Sequence, residues 1–269
     1  MNDGAGLARE RVEIASDRGR LRGDLIVPPQ PRGCVLLLHG HTGSRDELPL
    51  ADGQGLFAHS AAQMGAAGYA SLRCDFLGSG ESDGAWADTT LDGQAADALG
   101  AARWLRAHPE LASRPLALLG FSQGGLVALL AASQAAAGAA VLWNPVFDPD
   151  RSFGLIYGAD AMRVAQTADP QRRLSQAGGL RARFFQQASA YRAAPLAVDL
   201  ALPLLIVASD ADRVIPDGPA QAARLAGRRR HSTETLVLAA GHDLGAAQGM
   251  QGPDWVIARS IGFLDAHLR

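Results

Sequence analysis

The sequence predicts an α/β fold in which helices cover both faces of a mostly parallel, doubly wound sheet of about eight strands. Three observations predict it. Six short runs are apolar almost throughout, as strands buried on both faces are. Helical periodicity separates most of these runs, so strand and helix alternate along the chain. The chain has 269 residues, of which 48% are hydrophobic, and this is enough for one large buried core.

The first predicted element is a hairpin near the N-terminus. Residues 11–16 and 21–27 alternate apolar and polar side chains on either side of the turn sequence at 17–20. Alternation with a period of two around a glycine-containing turn predicts two antiparallel strands. Because one face of such a pair is polar, we expect the hairpin at an edge of the sheet.

The remaining strands and helices follow in alternation. The continuous apolar runs, each expected to be buried on both faces, are 34–38, 70–74, 116–119, 139–143, 204–208 and 234–238. The clearest helical patterns are 57–67, 92–107, 126–137, 219–226 and 255–267. This order predicts parallel strands joined by right-handed crossovers.

One interval interrupts the alternation. Residues 145–202 contain two or three amphipathic helical patterns and no apolar run typical of a core strand. An insertion of this length needs structure of its own. The sequence therefore predicts a core formed by residues 1–144 and 203–269, with an inserted helical lid, residues 145–202, after the sixth strand and over the carboxyl ends of the strands.

Composition excludes several classes of partner. The net charge is −2 and all 25 basic residues are arginine, so no general attraction to nucleic acid or to an anionic membrane is expected. No apolar run approaches the roughly 18 residues that span a bilayer. Residues 1–11 contain no apolar signal-peptide core, and the sequence predicts a cytoplasmic protein. It leaves the oligomeric state open, a homodimer being compatible with it.

Metal and cofactor signatures are not found. The two cysteines, Cys34 and Cys74, lie in separate apolar runs and are expected to be buried thiols rather than a disulfide framework or a metal site. The sequence has no H-E-x-x-H, no paired C-x-x-C and no glycine-rich nucleotide loop after the first strand. We therefore expect neither a metal ion nor a cofactor.

The most informative motif is Gly120-Phe121-Ser122-Gln123-Gly124, between an apolar run and an alanine-rich helical stretch. A G-x-S-x-G sequence in which a strand turns directly into a helix is typical of a nucleophilic serine. The turn is tight enough that the residues two before and two after the serine must lack bulky side chains. Ser122 is therefore predicted at the apex of the turn, with the helix N-terminus beneath it.

Partners for this serine follow two later strands. A serine hydroxyl needs an imidazole to accept its proton, and the imidazole needs a carboxylate to orient it. Asp210 and Asp212 follow the run 204–208, and His242 follows the run 234–238. Carboxyl ends of parallel strands meet at one edge of a sheet, so these side chains can converge on Ser122. The spacing alone leaves Asp210 and Asp212 as alternatives.

Four segments together resemble the α/β-hydrolase superfamily, and most of all its intracellular cinnamoyl and feruloyl esterases. They are residues 39–44 (HGHTGS), residues 75–84 (DFLGSGESDG), residues 120–125 (GFSQGG), and the pair formed by residues 212–216 (DRVIP) and 241–242 (GH). The resemblance favours Asp212 over Asp210, because the residues after Asp212 match the family pattern. It implies the α/β-hydrolase fold.

The resemblance also implies residue roles. Ser122 would be the nucleophile, His242 the general base and acid, and Asp212 the orienting carboxylate. The backbone N–H groups of His41 and Gln123 would form the oxyanion hole. Relatives often carry an apolar residue where His41 stands. His39 is expected to be structural.

The implied activity is hydrolysis of a small-molecule carboxylic ester, including aromatic acyl esters such as cinnamoyl and feruloyl esters, through an acyl-enzyme. The same motifs leave open a thioesterase, an amidase or peptidase, an acyltransferase, or a ligand-binding protein without catalysis. Most aromatic residues of the insertion should pack its own core. Phe147, Tyr157 and Tyr191 are predicted to line the substrate pocket.

Overall fold

The computed structural model of the chain describes residues 7–268. Within that range one sheet contains the strands β1 (Arg9–Ser16), β2 (Gly19–Ile26), β3 (Gly33–Leu38), β4 (Tyr69–Cys74), β5 (Leu116–Phe121), β6 (Ala139–Trp143), β7 (Leu204–Ser209) and β8 (Thr233–Leu238). The α-helices are α1 (Leu56–Ala66), α2 (Leu91–Ala107), α3 (Gln123–Ala131), α4 (Pro149–Tyr157), α5 (Ala159–Thr167), α6 (Ala182–Ala188), α7 (Ala193–Val198), α8 (Gly218–Ala226) and α9 (Gln251–His267).

The strand order is β1-β2-β4-β3-β5-β6-β7-β8. The hairpin β1–β2 is antiparallel and pairs antiparallel with β4, while all other neighbours are parallel. The chain passes outward from β3 to β4 and then returns across β3 to β5. The loops after β3 and β5 therefore leave the sheet in opposite directions, and the gap between them is the place where open α/β sheets bind ligands.

The predicted α/β-hydrolase fold and the edge hairpin are confirmed. Two local predictions are wrong. Strand β8 is not buried on both faces: it pairs only with β7 at the edge of the sheet, and Val237 is 57% exposed. The predicted helix at 126–137 begins earlier and ends earlier, at Gln123 and Ala131, because the chain must turn through Ala136, with φ +48°, to enter β6.

Two apolar layers cover the sheet. One contains α2, α3 and much of the segment between β6 and β7, and the other contains α1 and α9. Cys34 and Cys74 are buried free thiols in this core. Burial raises the pKa of the Cys34 thiol to about 11, so it is neutral at pH 7. Within residues 7–268, no helix combines the length and apolarity that crossing a bilayer requires.

The β6–β7 segment, residues 144–203, contains α4 to α7, more helices than its sequence pattern predicts. Helix α6 packs on α2, and α7 packs on α3. Three aromatic rings, Phe153, Phe184 and Phe185, contact one another edge to face and form the segment's own core. The segment is therefore an ordered helical layer built against the helices that follow β4 and β5.

We expect Gly124→Ala to lower the free energy of unfolding by about 3 kcal/mol or more, because the added methyl group would meet rigid backbone. Its Cβ would lie 1.9 Å from the carbonyl oxygen of Leu38. Gly262→Ala is the matched control, since its Cβ would meet nothing within 4 Å on the exposed face of α9. The control should stabilise by about 0.5–1 kcal/mol. Urea denaturation measures both, and wild-type stability for Gly124→Ala would contradict the packing described.

Candidate active site

Ser122 occupies the turn between β5 and α3 in a strained conformation, with φ +53° and ψ −119°. Its backbone is held on both sides. Its N–H donates to the carbonyl oxygen of Trp143 at 2.8 Å, and its carbonyl oxygen accepts from the N–H groups of Gly125 and Val146 at 3.0 and 3.1 Å. These bonds keep the strained turn in place.

The structure brings the side chains of Ser122, His242 and Asp212 into one line. Ser122 Oγ lies 2.9 Å from His242 Nε2, and His242 Nδ1 lies 2.7 Å from Asp212 Oδ2. A carboxylate accepts only, so the imidazole proton lies on Nδ1 and Nε2 is free to accept from the serine. The Asp212 side chain is 1% exposed, whereas that of His242 is 22% exposed. The line therefore runs from a buried carboxyl group, through a partly exposed imidazole, to the Ser122 hydroxyl.

Asp212, and not Asp210, is the carboxylate that the structure places beside His242. Its second oxygen, Oδ1, accepts the N–H groups of Val214 and Ile215 at 2.7 and 2.8 Å. These bonds leave Oδ2 for the imidazole. Asp210 instead lines a separate groove of about 740 Å³ between the ends of β7 and β8 and α9.

Asn144, which the sequence analysis missed, supports the loop that carries His242. It directly follows β6 with φ +42°, and its amide nitrogen donates to Ser209 Oγ and to the carbonyl oxygen of His242, both at 3.0 Å. Its amide oxygen accepts the N–H of Ser209 at 2.7 Å. The ring of Phe121 packs against the imidazole with centroids 5.1 Å apart. The sequence feature that could have pointed to Asn144 is its position as a polar residue directly after a buried strand.

His41 and Gln123 lie on either side of Ser122. Over residues 7–268, no hydrogen-bond acceptor is found for the backbone N–H of His41. Gln123 is the first residue of α3, where an N–H has no partner within the helix. Two unpaired N–H groups beside a nucleophile are the kind of donors that stabilise an oxyanion.

Buried charges hold the β3–α1 loop, residues 39–55, which carries His41. Asp75 is fully buried after β4, and its Oδ1 accepts the backbone N–H of Arg45 at 2.7 Å. The Arg45 guanidinium donates to Asp75 and, at 3.2 Å, to Asp24. His39 Nε2 accepts the N–H of Phe76 at 3.1 Å, in agreement with the structural role expected for it. Removing one partner of such a buried pair costs about 3–5 kcal/mol, so the loop position is strongly determined.

A cleft of about 650 Å³ opens at Ser122 and His242. Of the three aromatic residues predicted for the substrate pocket, Tyr157 lines this cleft, together with its neighbour Ile156 in α4. Phe147 lies instead at a second cavity beside Arg192. Tyr191 donates its hydroxyl to Asp92 of α2. Sequence spacing could not distinguish these positions, because all three residues belong to a segment whose packing is set by other elements.

Glu47 is a further cleft residue that the sequence did not indicate. Its Oε2 accepts the N–H of Gly40 at 2.6 Å. Burial raises the pKa of its carboxyl to about 7, against the opposing effect of that hydrogen bond. A titratable acid therefore lies in the same cleft as the nucleophile. The described part of the chain contains no cluster of side chains able to hold a metal ion.

Comparisons with known proteins agree with this architecture. A family model described as serine aminopeptidase, S33, matches residues 29–196, more than half of the chain. The structure resembles an esterase of Pyrococcus furiosus with a TM-score of 0.76 at 21% identity, covering 98% of this chain and 93% of that one. It also resembles Est1E from Butyrivibrio proteoclasticus with ferulic acid bound, with a TM-score of 0.73 at 21% identity over 95% and 98% of the two chains. At these identities the likeness shows the fold.

Two curated proteins of Mycobacterium tuberculosis, provisionally named phosphoribosyl transferases, are 29% identical to this chain over 127 residues. The match includes 47% of this chain and 27% of theirs. The chain thus corresponds to about a quarter of the length of these relatives.

We expect Glu47→Gln to change how stability depends on pH. The unfolded chain loses this proton near pH 4.5 and the folded chain near pH 7, so raising the pH from 5 to 8 lowers the free energy of unfolding of the wild type. The glutamine side chain cannot ionise, so the stability of the variant relative to wild type should rise over this interval. We expect a rise on the order of 1–2 kcal/mol, which is less than the full pKa difference gives, because the Glu47 side chain is partly exposed to solvent.

Urea denaturation at pH 5 and pH 8 measures this difference. Glu110→Gln is the control, since it makes the same substitution at an exposed position away from the cleft. A constant difference between wild type and Glu47→Gln would show that the Glu47 carboxyl keeps an ordinary pKa.

Proposed function

Because the chain belongs to the serine aminopeptidase S33 family of α/β hydrolases, we propose that it is a serine hydrolase that cleaves carboxylic esters through an acyl-enzyme. The observation that carries the proposal is the hydrogen-bonded line from Asp212 through His242 to Ser122 at the mouth of a cleft. A hydroxyl hydrogen-bonded to an oriented imidazole that can accept its proton is an activated nucleophile.

The first half of the reaction forms the acyl-enzyme. Ser122 Oγ attacks the ester carbonyl carbon while its proton passes to His242 Nε2. Negative charge then develops on the carbonyl oxygen, where the N–H groups of His41 and Gln123 can stabilise it. The carbon–oxygen bond to the alcohol breaks, and the alcohol leaves with the proton from His242.

The second half repeats these steps with water. His242 removes a proton from the water molecule, whose oxygen attacks the acyl carbon, and the proton then returns to Ser122 as the acid leaves. During both halves the imidazole is transiently positive. The buried Asp212 carboxylate stabilises that charge, and its two backbone N–H partners keep it from turning away.

The position of the β6–β7 segment at the cleft supports a role for this segment in substrate selection. We include in the proposal that residues 145–202 act as a lid, since Ile156 and Tyr157 of α4 line one side of the cleft. A tyrosine ring and an exposed isoleucine offer an apolar surface to an acyl group. The structural likeness to Est1E with ferulic acid bound favours aromatic acyl esters as the first substrates to test.

A second candidate function is aminopeptidase activity. Glu47 favours it, because its carboxyl faces the cleft and pairs with no arginine or histidine of the described residues. An acid in that position can bind the free α-ammonium group of a peptide or an amino-acid amide. The family name points in the same direction.

We expect Ser122→Ala to lower kcat/KM for short p-nitrophenyl esters by about 10³-fold or more, because the variant loses the hydroxyl that is hydrogen-bonded to His242 Nε2. Ser133→Ala, which removes an exposed hydroxyl after α3, should leave kcat/KM unchanged. Steady-state kinetics with equal amounts of folded protein measures both variants. Equal rates for wild type and Ser122→Ala would contradict the proposal.

Matched substrates separate the two candidate activities. For one acyl group offered as an ester, a thioester and an anilide, we expect the ester to have the highest kcat/KM by about tenfold or more. A faster reaction with an anilide that bears a free α-amino group, abolished by Glu47→Gln, would instead identify an aminopeptidase.

A further inference from the structure

The side chains of the two residues proposed as oxyanion donors are hydrogen-bonded to each other. His41 Nδ1 in the β3–α1 loop lies 2.8 Å from Gln123 Oε1 at the start of α3. The Gln123 amide nitrogen donates to Gln94 Oε1 of α2 at 2.5 Å. On the other side, His41 Nε2 lies 2.6 Å from the hydroxyl oxygen of Tyr157, the last residue of α4. One network of side-chain hydrogen bonds therefore joins α2, α3, the β3–α1 loop and α4.

The donor in each hydrogen bond of this network can be assigned in turn. Gln123 donates its amide N–H to Gln94, so its amide oxygen faces His41 and accepts from Nδ1–H. A neutral imidazole with its proton on Nδ1 accepts at Nε2, so the Tyr157 hydroxyl donates to it. Burial lowers the pKa of His41 to about 4, and the ring is neutral at pH 7. This hydrogen-bond network ends in α2 at the buried amide nitrogen of Gln94, which has no partner among residues 7–268.

The surroundings of His41 make both of its hydrogen bonds necessary. Its ring lies among four aromatic rings, with centroids 5.1–5.7 Å away: Trp86, Phe153, Tyr157 and Phe184. Such a box would suit an apolar side chain, the type expected here by resemblance. A polar ring in it is destabilising unless both nitrogens are paired. The two bonds are therefore the feature that distinguishes this position from an ordinary apolar contact.

We propose that His41 is a positioning residue that ties the two oxyanion donors to each other and to helix α4. The bond to Gln123 holds the loop carrying the His41 N–H at a set distance from the turn carrying the Gln123 N–H. The bond to Tyr157 makes that distance depend on where α4 lies. The inference rests on the proposed function, since it concerns the oxyanion of that reaction.

The proposal has a kinetic consequence. Contacts to the oxyanion strengthen only in the transition state, so a change in donor spacing lowers kcat and leaves KM nearly unchanged. A side chain that served stability alone would change the folded fraction without changing the rate per active site. A side chain that only bound the substrate would change KM.

The test uses three variants and one control. Gln123→Met removes the bond to His41 while keeping side-chain length, and Tyr157→Phe removes only the hydroxyl that reaches His41. The third variant combines both changes. Gln171→Met, on an exposed side chain of the β6–β7 segment, is the matched control. Active sites are counted by fluorophosphonate titration, and kcat and KM are then measured with a p-nitrophenyl ester.

We expect Gln123→Met to lower kcat about 10- to 100-fold with KM within about threefold of wild type, less than the loss from deleting a donor outright. Tyr157→Phe should lower kcat several-fold. Because both bonds act through one imidazole, the double variant should lose less than the product of the two single losses. The affinity for phenylboronic acid, which forms a tetrahedral adduct on serine, should fall in parallel with kcat, while the affinity for the product acid should not.

Three results would overturn the proposal: wild-type kcat in both single variants, losses in the double variant equal to the product of the single losses, or a change confined to KM. If Gln123→Met does not fold, wild-type kcat for Tyr157→Phe alone overturns it. A failure of the proposed function looks different, because wild type itself would then hydrolyse the ester no faster than Ser122→Ala.

Discussion

The site depends on one steric constraint: the chain passes from β5 into α3 through a single residue, so the backbone is closely packed at this turn. A Cβ on Gly120 would lie 2.1 Å from the carbonyl oxygen of Gly124, and one on Gly124 would lie 1.9 Å from that of Leu38. The two strands and the helix can approach this closely only because both positions lack side chains. That approach places Ser122 above the start of α3 and next to the loop after β3. The two later loops, which carry Asp212 and His242, then need only to reach an oxygen whose position is already set.

Polar groups buried at the carboxyl edge of the sheet hold the site residues in position. Asp212 is held by two backbone N–H groups, and the His242 loop is held by Asn144, which also binds the end of β7. Arg45 and Asp75 hold the loop of His41. Each of these groups is paired, which is the condition under which polar atoms are tolerated in an interior. Rigid support of this kind keeps donors oriented before charge develops, so little reorganisation accompanies the reaction.

Much of the fold and the three converging side chains could be predicted, because they depend on local rules: continuous apolarity for buried strands, glycine at a tight turn, and loops that share one sheet edge. What could not be predicted depends on neighbours distant in sequence. Strand β8 has an apolar pattern but an edge position, which leaves Val237 exposed. Phe147 and Tyr191 are aromatic, as residues that line an apolar pocket often are. The packing of α6 and α7 on the core nevertheless places them away from the cleft at Ser122. The pairing of His41 with Tyr157 spans 116 positions.

Labelling with a fluorophosphonate tests the central claim, that the fold makes one serine oxygen nucleophilic, most directly. A single adduct per chain, located by peptide mass spectrometry on Ser122 and lost when His242 is replaced by alanine, is the result that the geometry predicts. An unlabelled wild-type protein, or an adduct on another residue that survives the replacement of His242, would contradict it.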